Sequence, residues 1–382
     1  MSIEKRPGGE RSGHAARLGL ALTTALGLGA IAACGTSTAL PTHTLPAPTP
    51  SGTPSGQVFD VTQYGAKGDN LSDNTHAFAT AIAAAEAAGG GVVHVPAGKY
   101  VFSAGKTGTG GSVVIAGTSP ITLEGAGRDQ TYLIEAKANK GLLGVHVDHT
   151  IVQNLTLDTQ TNSGGAALFV QANNTSLLST RVLGGPNHFA IYYAGPKGAK
   201  PAAPLYNTGN VVKDLELNEL DCNDGFSWSF QENSSITNVV HTGSRLALYV
   251  VQSTTVTDYR YTPGAQQCGA RNGFWLTPPA NDITITNFTS SGQGGKVGII
   301  GPAGVGKVAR NVTIQGLTMT GSGYALTIGD VSNLLLTGCS LGHNDIVVSA
   351  QAIAQGTVSH CTFGHMVRSG AASAQVHITV VA

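Results

Sequence analysis

The sequence predicts an all-β chain: a single-stranded solenoid of parallel strands, capped at its N-terminal end by one short α-helix. Three observations lead there. Short apolar runs broken by one turn residue recur as IVQNLTL, VVKDLEL, SITNVVH, TVTDYRY, ITITNFT, TIQGLTM, LLLTGCS and TVSHCTF. Their turn residues are Asn154, Asp214, Asn238, Asp258, Asn287, Gly316, Gly338 and His360, with a poorer member at Thr180. The intervals fall mostly in the twenties, the period of a β-solenoid rung. Second, 52 glycines and only 11% charged residues suit many short strands joined by tight bends. Asn, Asp and Gly occupy the bends because a sharp corner needs φ > 0 or an Asx-type bond. Third, the folded part opens as strand, glycine turn, helix, glycine run, strand.

Before that opening stands a targeting segment. Lys5, Arg6, Arg11 and Arg17 precede an apolar stretch from Leu18 to Ala33, the layout of an export signal and short for a stable membrane span. Ile31-Ala32-Ala33-Cys34 resembles the bacterial lipobox. The resemblance implies cleavage before Cys34 and lipidation of its sulfur; ordinary secretion with cleavage nearby is the alternative. Residues 1–33 are therefore expected to be a lipoprotein signal peptide. Residues 34–56, rich in Thr, Pro, Ser and Gly, are expected to be a disordered tether, too poor in apolar groups to bury. One domain, 57–382, follows. The expectation is a monomer outside the cytoplasmic membrane of a bacterium, held to the cell membrane by its lipid alone. Export would expose Cys222, Cys268, Cys339 and Cys361 to an oxidising compartment.

Within the domain, 57–100 forms the cap and first rung. Ser72 or Asp73 can cap the helix, since their side-chain oxygens accept from its first free N–H groups. Phe78, Ile82 and Ala85 fall on one face, and Gly89 suits the C′ position. Tyr64-Gly65-Ala66-Lys67-Gly68-Asp69, Ser72-Asp73-Asn74-Thr75, Gly90-Gly91 and Pro96-Ala97-Gly98-Lys99-Tyr100 resemble the opening of the pectate-lyase superfamily. That resemblance covers about forty residues and implies a right-handed parallel β-helix. It implies less about activity, because lyases, glycoside hydrolases, epimerase-like proteins and phage tailspikes share the opening. Asn74 departs from the pattern, which usually carries a second aspartate there. Physically, a helix over the end of a solenoid covers an open apolar cross-section and unpaired strand edges.

Stacked rungs bring equivalent residues to about 4.8 Å. Cys339 and Cys361 then share one inward position a rung apart, where a ladder of buried thiols is expected ahead of a disulfide. Cys222 and Cys268 show no metal spacing. The long interval before Asp214 contains AGPKGAKPAAPLYNTGN, expected to protrude as a loop. Arg181 breaks the apolar pattern of its rung. GPAGVGKVAR, Gly301 to Arg310, lacks phosphate-loop spacing and reads as a glycine-rich turn.

A second set of strands, HFAIYY, DGFSWSF, RLALYVV, NGFWLTP and GKVGII, locates candidate chemistry. Aligning Phe189, Phe226, Leu246 and Phe274 as inward residues makes Ile191, Trp228, Leu248 and Leu276 inward too; Phe230 follows by the same alternation. Tyr192, Ser227, Ser229, Tyr249 and Trp275 then point outward. His188, Asp224, Arg245, Arg271 and Lys296 stand at the strand entrances of five consecutive rungs. Aromatic faces stack on sugar rings and cations pair with carboxylates, so the constellation suits an acidic polysaccharide along the solenoid axis. The structural alternative is that entrances are polar in any solenoid and Asp224 with Arg245 is a plain ion pair between rungs.

Two chemistries fit. A uronate lyase needs a base for the proton α to a carboxylate and cations for the developing charge, roles open to His188, Arg245, Arg271 and Lys296. A hydrolase needs two carboxyls, for which Asp221 and Asp224, or Asp224 with an acid on a neighbouring rung, are candidates. The catalytic set is thus Asp224, Arg245, His188 and Asp221; Tyr192, Tyr249, Trp275, Arg271 and Lys296 are the substrate-binding set. The sequence lacks the paired aspartates and Gly-His-Gly run of polygalacturonases; HTGSRLALY stands roughly where such a run would fall. No cofactor is expected: Asp221, Asp224, Glu216 and Glu219 are the acids nearest a calcium set, but alternation splits Glu216 from Glu219. Equal numbers of basic and acidic residues, 21 each, leave no net field for nucleic acid. The reading is an extracytoplasmic protein acting on acidic or pectin-like polysaccharide by elimination or hydrolysis. Its alternative is a non-catalytic glycan-binding or structural surface lipoprotein. Convergence of Asp224, Arg245 and His188 in a cleft beside Tyr249 and Trp275 would favour catalysis; dispersal or mutual neutralisation on a flat face would favour binding.

Overall fold

The computed structural model describes residues 56–103, 110–160, 165–186, 189–220, 224–264, 272–291, 296–301, 307–321 and 324–382. The signal and tether readings, together with His188, Asp221, Cys222, Cys268, Arg271 and 302–306 of the glycine-rich turn, lie outside these residues. No helix among the described residues is long and apolar enough to cross a membrane.

Each rung contributes strands to three faces, and every strand pairs in parallel with its counterpart in the next rung. On the first face Gly91–Val95 pairs with Ile121–Gly125, and the series continues through Ile151–Gln153 and Ser176–Leu178 to Gln375–Val381. The second runs from Gly98–Phe102 through Thr131–Glu135 and Thr156–Asp158 to Arg181–Gly184 and onward. The third runs from Val113–Ile115 through Leu168–Val170, Ile191–Tyr193 and Phe226–Ser229 to Met366–Arg368. This is a right-handed parallel β-helix.

The corner between the first two faces is where the turn residues sit. Asn154, Asp214, Asn238, Asp258, Asn287, Gly316, Gly338 and His360 all take φ between 51° and 70°. The poorer member is corrected by one residue: Ser179, at φ 47°, makes that corner, and Thr180 is buried beyond it. Arg181 then opens its strand facing outward, bridging Asp129 (2.7 Å) and Glu216 (2.9 Å), so an apparent break in the pattern is a surface ion triad. Between side chains at these corners, Asn238 donates to Asp214 (2.6 Å) and Asn287 to Asp258 (3.0 Å). A second positive-φ column at the preceding corner (Asn174, Gly209, Asn233, Ser253, Asp282) had no counterpart among the sequence-predicted turns.

The lumen is a continuous apolar core. Trp228 is fully buried with its ring 4.3 Å from Tyr193 and 5.9 Å from Phe226, and Tyr259 stacks on Phe288 at 5.0 Å. Burying such side chains stabilises by roughly 1.5–3 kcal/mol each. Two inward assignments do not hold. Ile191, not Phe189, registers with Phe226; Phe189 precedes the strand, where alternation has no hold. Phe230 follows its strand at φ 54° and turns its ring against Tyr249 (5.6 Å). Nor are Cys339 and Cys361 free thiols: their sulfurs are bonded at 2.11 Å, with Cα atoms 4.4 Å apart. Adjacent rungs bring the two Cα atoms within the span that a disulfide bridges.

The helix spans Thr75–Ala87 and buries Ala77, Phe78, Ala81, Ile82 and Ala85. The N-cap position falls to Asn74, whose side chain makes no capping bond; Asp73, one residue earlier, accepts from the Thr75 N–H (2.9 Å) and hydroxyl (2.6 Å), whereas Ser72 bonds Asp69 instead. Gly89 follows the helix at φ 86°. Asn74 is buried: its amide oxygen accepts from Lys67 N–H (2.7 Å) and its NH₂ group donates to Ser72 O (2.7 Å). A carboxylate could make only the first of these bonds.

Candidate functional site

The outward side of the third face carries a groove of about 460 Å³ lined by Phe189, Tyr192, Asp224, Ser227, Ser229, Arg245, Ala247, Tyr249, Trp275 and Thr277. Parallel register builds it in columns. Tyr192, Ser227, Ala247 and Trp275 stand side by side from four rungs, and two residues further along Ser229, Tyr249 and Thr277 do the same. Small residues in the middle rungs leave the floor open between aromatic walls.

At one end Arg245 Nε donates to Asp224 Oδ1, while its guanidinium carbon lies 3.9 Å from the Trp275 ring centroid. The Arg245 side chain is 13% exposed and that of Asp224 27%. A planar guanidinium can stack on an indole and pair with a carboxylate at once, which an ammonium cannot; a partly desolvated stack of this kind contributes about 1–2 kcal/mol. Arg245 Nη1 and the Trp275 indole N–H are buried and find no acceptor among the described residues. Buried donors left unmet cost free energy, and so mark a place where an acceptor from outside would be favourable.

Burial, and secondarily the neighbouring Tyr249, raise the Tyr192 phenol above its ordinary value. Tyr192 therefore keeps its proton at neutral pH. Ser227 and Ser229 bond each other at 3.0 Å.

Of the sequence-predicted residues, the fold brings together Asp224, Arg245, Tyr192, Tyr249 and Trp275. Lys296 opens the next strand with its backbone in register with Asn272; its side chain, like His188, Asp221 and Arg271, is outside the description. Of the acids nearest a calcium set, Glu219 is buried while Glu216 stays on the surface, bound to Arg181. Phe189 and Thr277 also line the groove. Register could have found Thr277, two residues beyond Trp275; Phe189 stands outside any strand.

A second groove of about 520 Å³ lies on the second face, with Arg128, Asp214, Glu216, Asn218, Asn238 and Arg260 among its walls. Glu216 there is bound to Arg181, and Arg260 donates to Asn238 (3.1 Å). Polar groups so paired account for themselves structurally.

Residues 58–274 match the family described as rhamnogalacturonase A/epimerase, pectate lyase-like. The chain belongs to this family. Among curated relatives of this pectate lyase-like chain, mannuronan C5-epimerase AlgE3 of Azotobacter vinelandii is 27% identical over 241 residues, 62% of this chain and 12% of that protein. Alginate lyase 7 of the same organism is 40% identical over 75 residues, 20% of this chain and 8% of its own. The chain spans only 12% to 23% of the length of the epimerases it matches over more than half of itself. Among solved structures, the A-module of the Azotobacter vinelandii mannuronan C-5 epimerase AlgE4 superposes with a TM-score of 0.56 at 15% identity, covering 85% of this chain and 96% of that module. That likeness is one of fold.

Proposed function

We propose that the third-face groove binds a uronate-bearing polysaccharide and acts at the carbon α to its carboxylate. The observation that carries this reading is Arg245: fixed by Asp224 and Trp275, it has a donor, Nη1, without an acceptor among the described residues. A substrate carboxylate would supply one. The matched relatives support the class, since mannuronan C5-epimerase and alginate lyase both name chemistry on uronate polymers, and C5 of a uronate is the carbon that bears the carboxyl.

The chemistry runs as follows. Removing the α proton pushes an electron pair into the carboxylate, and Arg245 stabilises the resulting enediolate charge. Among the described groove residues, Asp224 is the base that can take that proton. Tyr192, still protonated, can give one back. Delivery to the departing 4-oxygen completes elimination; delivery to carbon from the opposite side completes epimerisation. Hydrolysis would need two carboxyls, and Asp224 is the one carboxylate among the described groove residues.

The same reading places the protein outside the cytoplasm, anchored through Cys34. It draws support from the sequence Ile31–Cys34 and from the Cys339–Cys361 bond, a pairing typical of oxidising compartments. Binding without turnover is the second reading, favoured by one fact: Asp224 and Arg245 neutralise each other in the free protein. Incubation with polymannuronate and polygalacturonate in deuterated water separates the two. Deuterium at the α carbon, the mark of epimerisation, or the ultraviolet absorbance of an unsaturated uronate, the mark of elimination, is the expected result, and Arg245→Lys should lower it at least ~100-fold. Retention on immobilised polymer with neither signal would leave binding alone.

A further inference from the structure

Directly behind Asp224 and Arg245, on the lumen side, lies a buried polar cluster that apolar packing does not require. The Glu219 side chain is fully buried. Its Oε1 accepts from the Ser244 backbone N–H and stands 3.3 Å from His241 Nε2. His241, also fully buried, places Nδ1 2.7 Å from the Tyr259 hydroxyl. Tyr261 donates its hydroxyl proton to the Ser244 carbonyl. Ser244 Oγ accepts from the Gly225 N–H at 2.7 Å. Gly225 and Gly243 have no room for a side chain, because a Cβ on either would fall on the Glu219 carboxylate.

Burial above all, then Tyr261 and Glu219 nearby, push the Tyr259 phenol well above its ordinary value, so it keeps its proton. The His241 ring links that phenol to the Glu219 carboxyl through its two nitrogens. Removing a carboxylate from water costs several kcal/mol before compensation, and the Ser244 backbone N–H supplies part of that compensation. That residue precedes Arg245, and its hydroxyl holds Gly225, which follows Asp224.

We infer that Glu219, His241 and Ser244 are positioning residues: they lock the two backbone segments that hold the Asp224–Arg245 pair, and so set the aim of the guanidinium into the groove. The link to turnover rests on the function proposed above; the positioning itself does not. Without the cluster, Arg245 O would still accept from Phe226 N–H in the sheet ladder, but the residue before each strand would be free to shift. Positioning errors of this kind can cost up to ~100-fold in rate.

The test uses two variants of the full chain. Glu219→Gln keeps shape and removes the charge. Ser244→Ala removes only the acceptor for Gly225 and is the smaller insult to folding. The readout is the Arg245 Nε–H resonance in nitrogen-15 NMR spectra, assigned by its loss in Arg245→Lys. In the wild type it should be sharp and slow to exchange with water, because Asp224 holds it. In both variants it should shift and exchange faster, with the melting transition still cooperative. On a polymer that the wild type processes, kcat should fall about tenfold with KM within about twofold. An unchanged Arg245 resonance in both variants overturns the inference, whatever the activity. Should Glu219→Gln fail to fold, Ser244→Ala decides alone. A moved resonance with unchanged kcat overturns the link to turnover. Absence of wild-type turnover overturns the proposed reaction and leaves the resonance to judge the positioning.

Discussion

Two buried carboxyls show how local surroundings set what a side chain can do. Glu219 is met by a backbone N–H and an imidazole. Glu135 is fully buried as well, accepting from the Ser112 hydroxyl and from Lys137 N–H at 2.9 Å, yet burial outweighs both bonds and holds its carboxyl above the ordinary 4.5. A raised folded value means that the folded state binds the proton more tightly. The associated stability is complete below about pH 4.5 and is lost as pH rises through the folded value. Glu135→Gln should therefore melt higher than the wild type at pH 7, and the difference should vanish toward pH 4; calorimetric scans at both pH values check it. In the groove, Asp224 and Arg245 were within reach of the sequence because rung spacing alone makes them neighbours. Phe189 and Phe230 were not, because two-residue alternation ends where the strand ends. The Glu219–His241 contact joins residues 22 apart that only the register of successive rungs brings together.

Rungs and corners were the most readable elements. Eight of the corner residues read from the apolar pattern take the left-handed backbone expected of them, since that conformation leaves few residue types to choose from. The slip from Thr180 to Ser179 occurred where the side chain gave no such signal. The preference for thiols at Cys339 and Cys361 failed because thiols and a disulfide satisfy the same inward position. The bond closes a separation of 22 residues, for which the chain-entropy model gives about 3 kcal/mol. Replacing both cysteines by serine should lower the denaturant midpoint by a corresponding amount, and a reducing agent should do the same to the wild type while leaving the double variant unmoved.

Taken along its axis, the domain is nearly one-dimensional: each rung touches its neighbours and little else. Its ends therefore matter more than its middle. Phe78 of the capping helix fills the N-terminal cross-section, with ring contacts to Phe102 (4.9 Å) and Tyr100 (5.6 Å). Phe78→Ala should cost about 3–5 kcal/mol. Hydrogen exchange should show the loss first in Gly91–Val95 and Gly98–Phe102 and only weakly at Phe226–Ser229. Equal protection loss along the whole domain would contradict nearest-neighbour coupling.

The columnar register of the groove gives the site an address rather than a neighbourhood. Tyr192, Ser227, Ala247 and Trp275 lie far apart in sequence and belong together only because each holds the same slot in its own turn of the coil. Duplicating one complete turn on the N-terminal side of Ile191 would carry the whole constellation along the axis unchanged. The distance between the groove and the N-terminal end of the coil can thus be set by counting turns, independently of what the groove recognises.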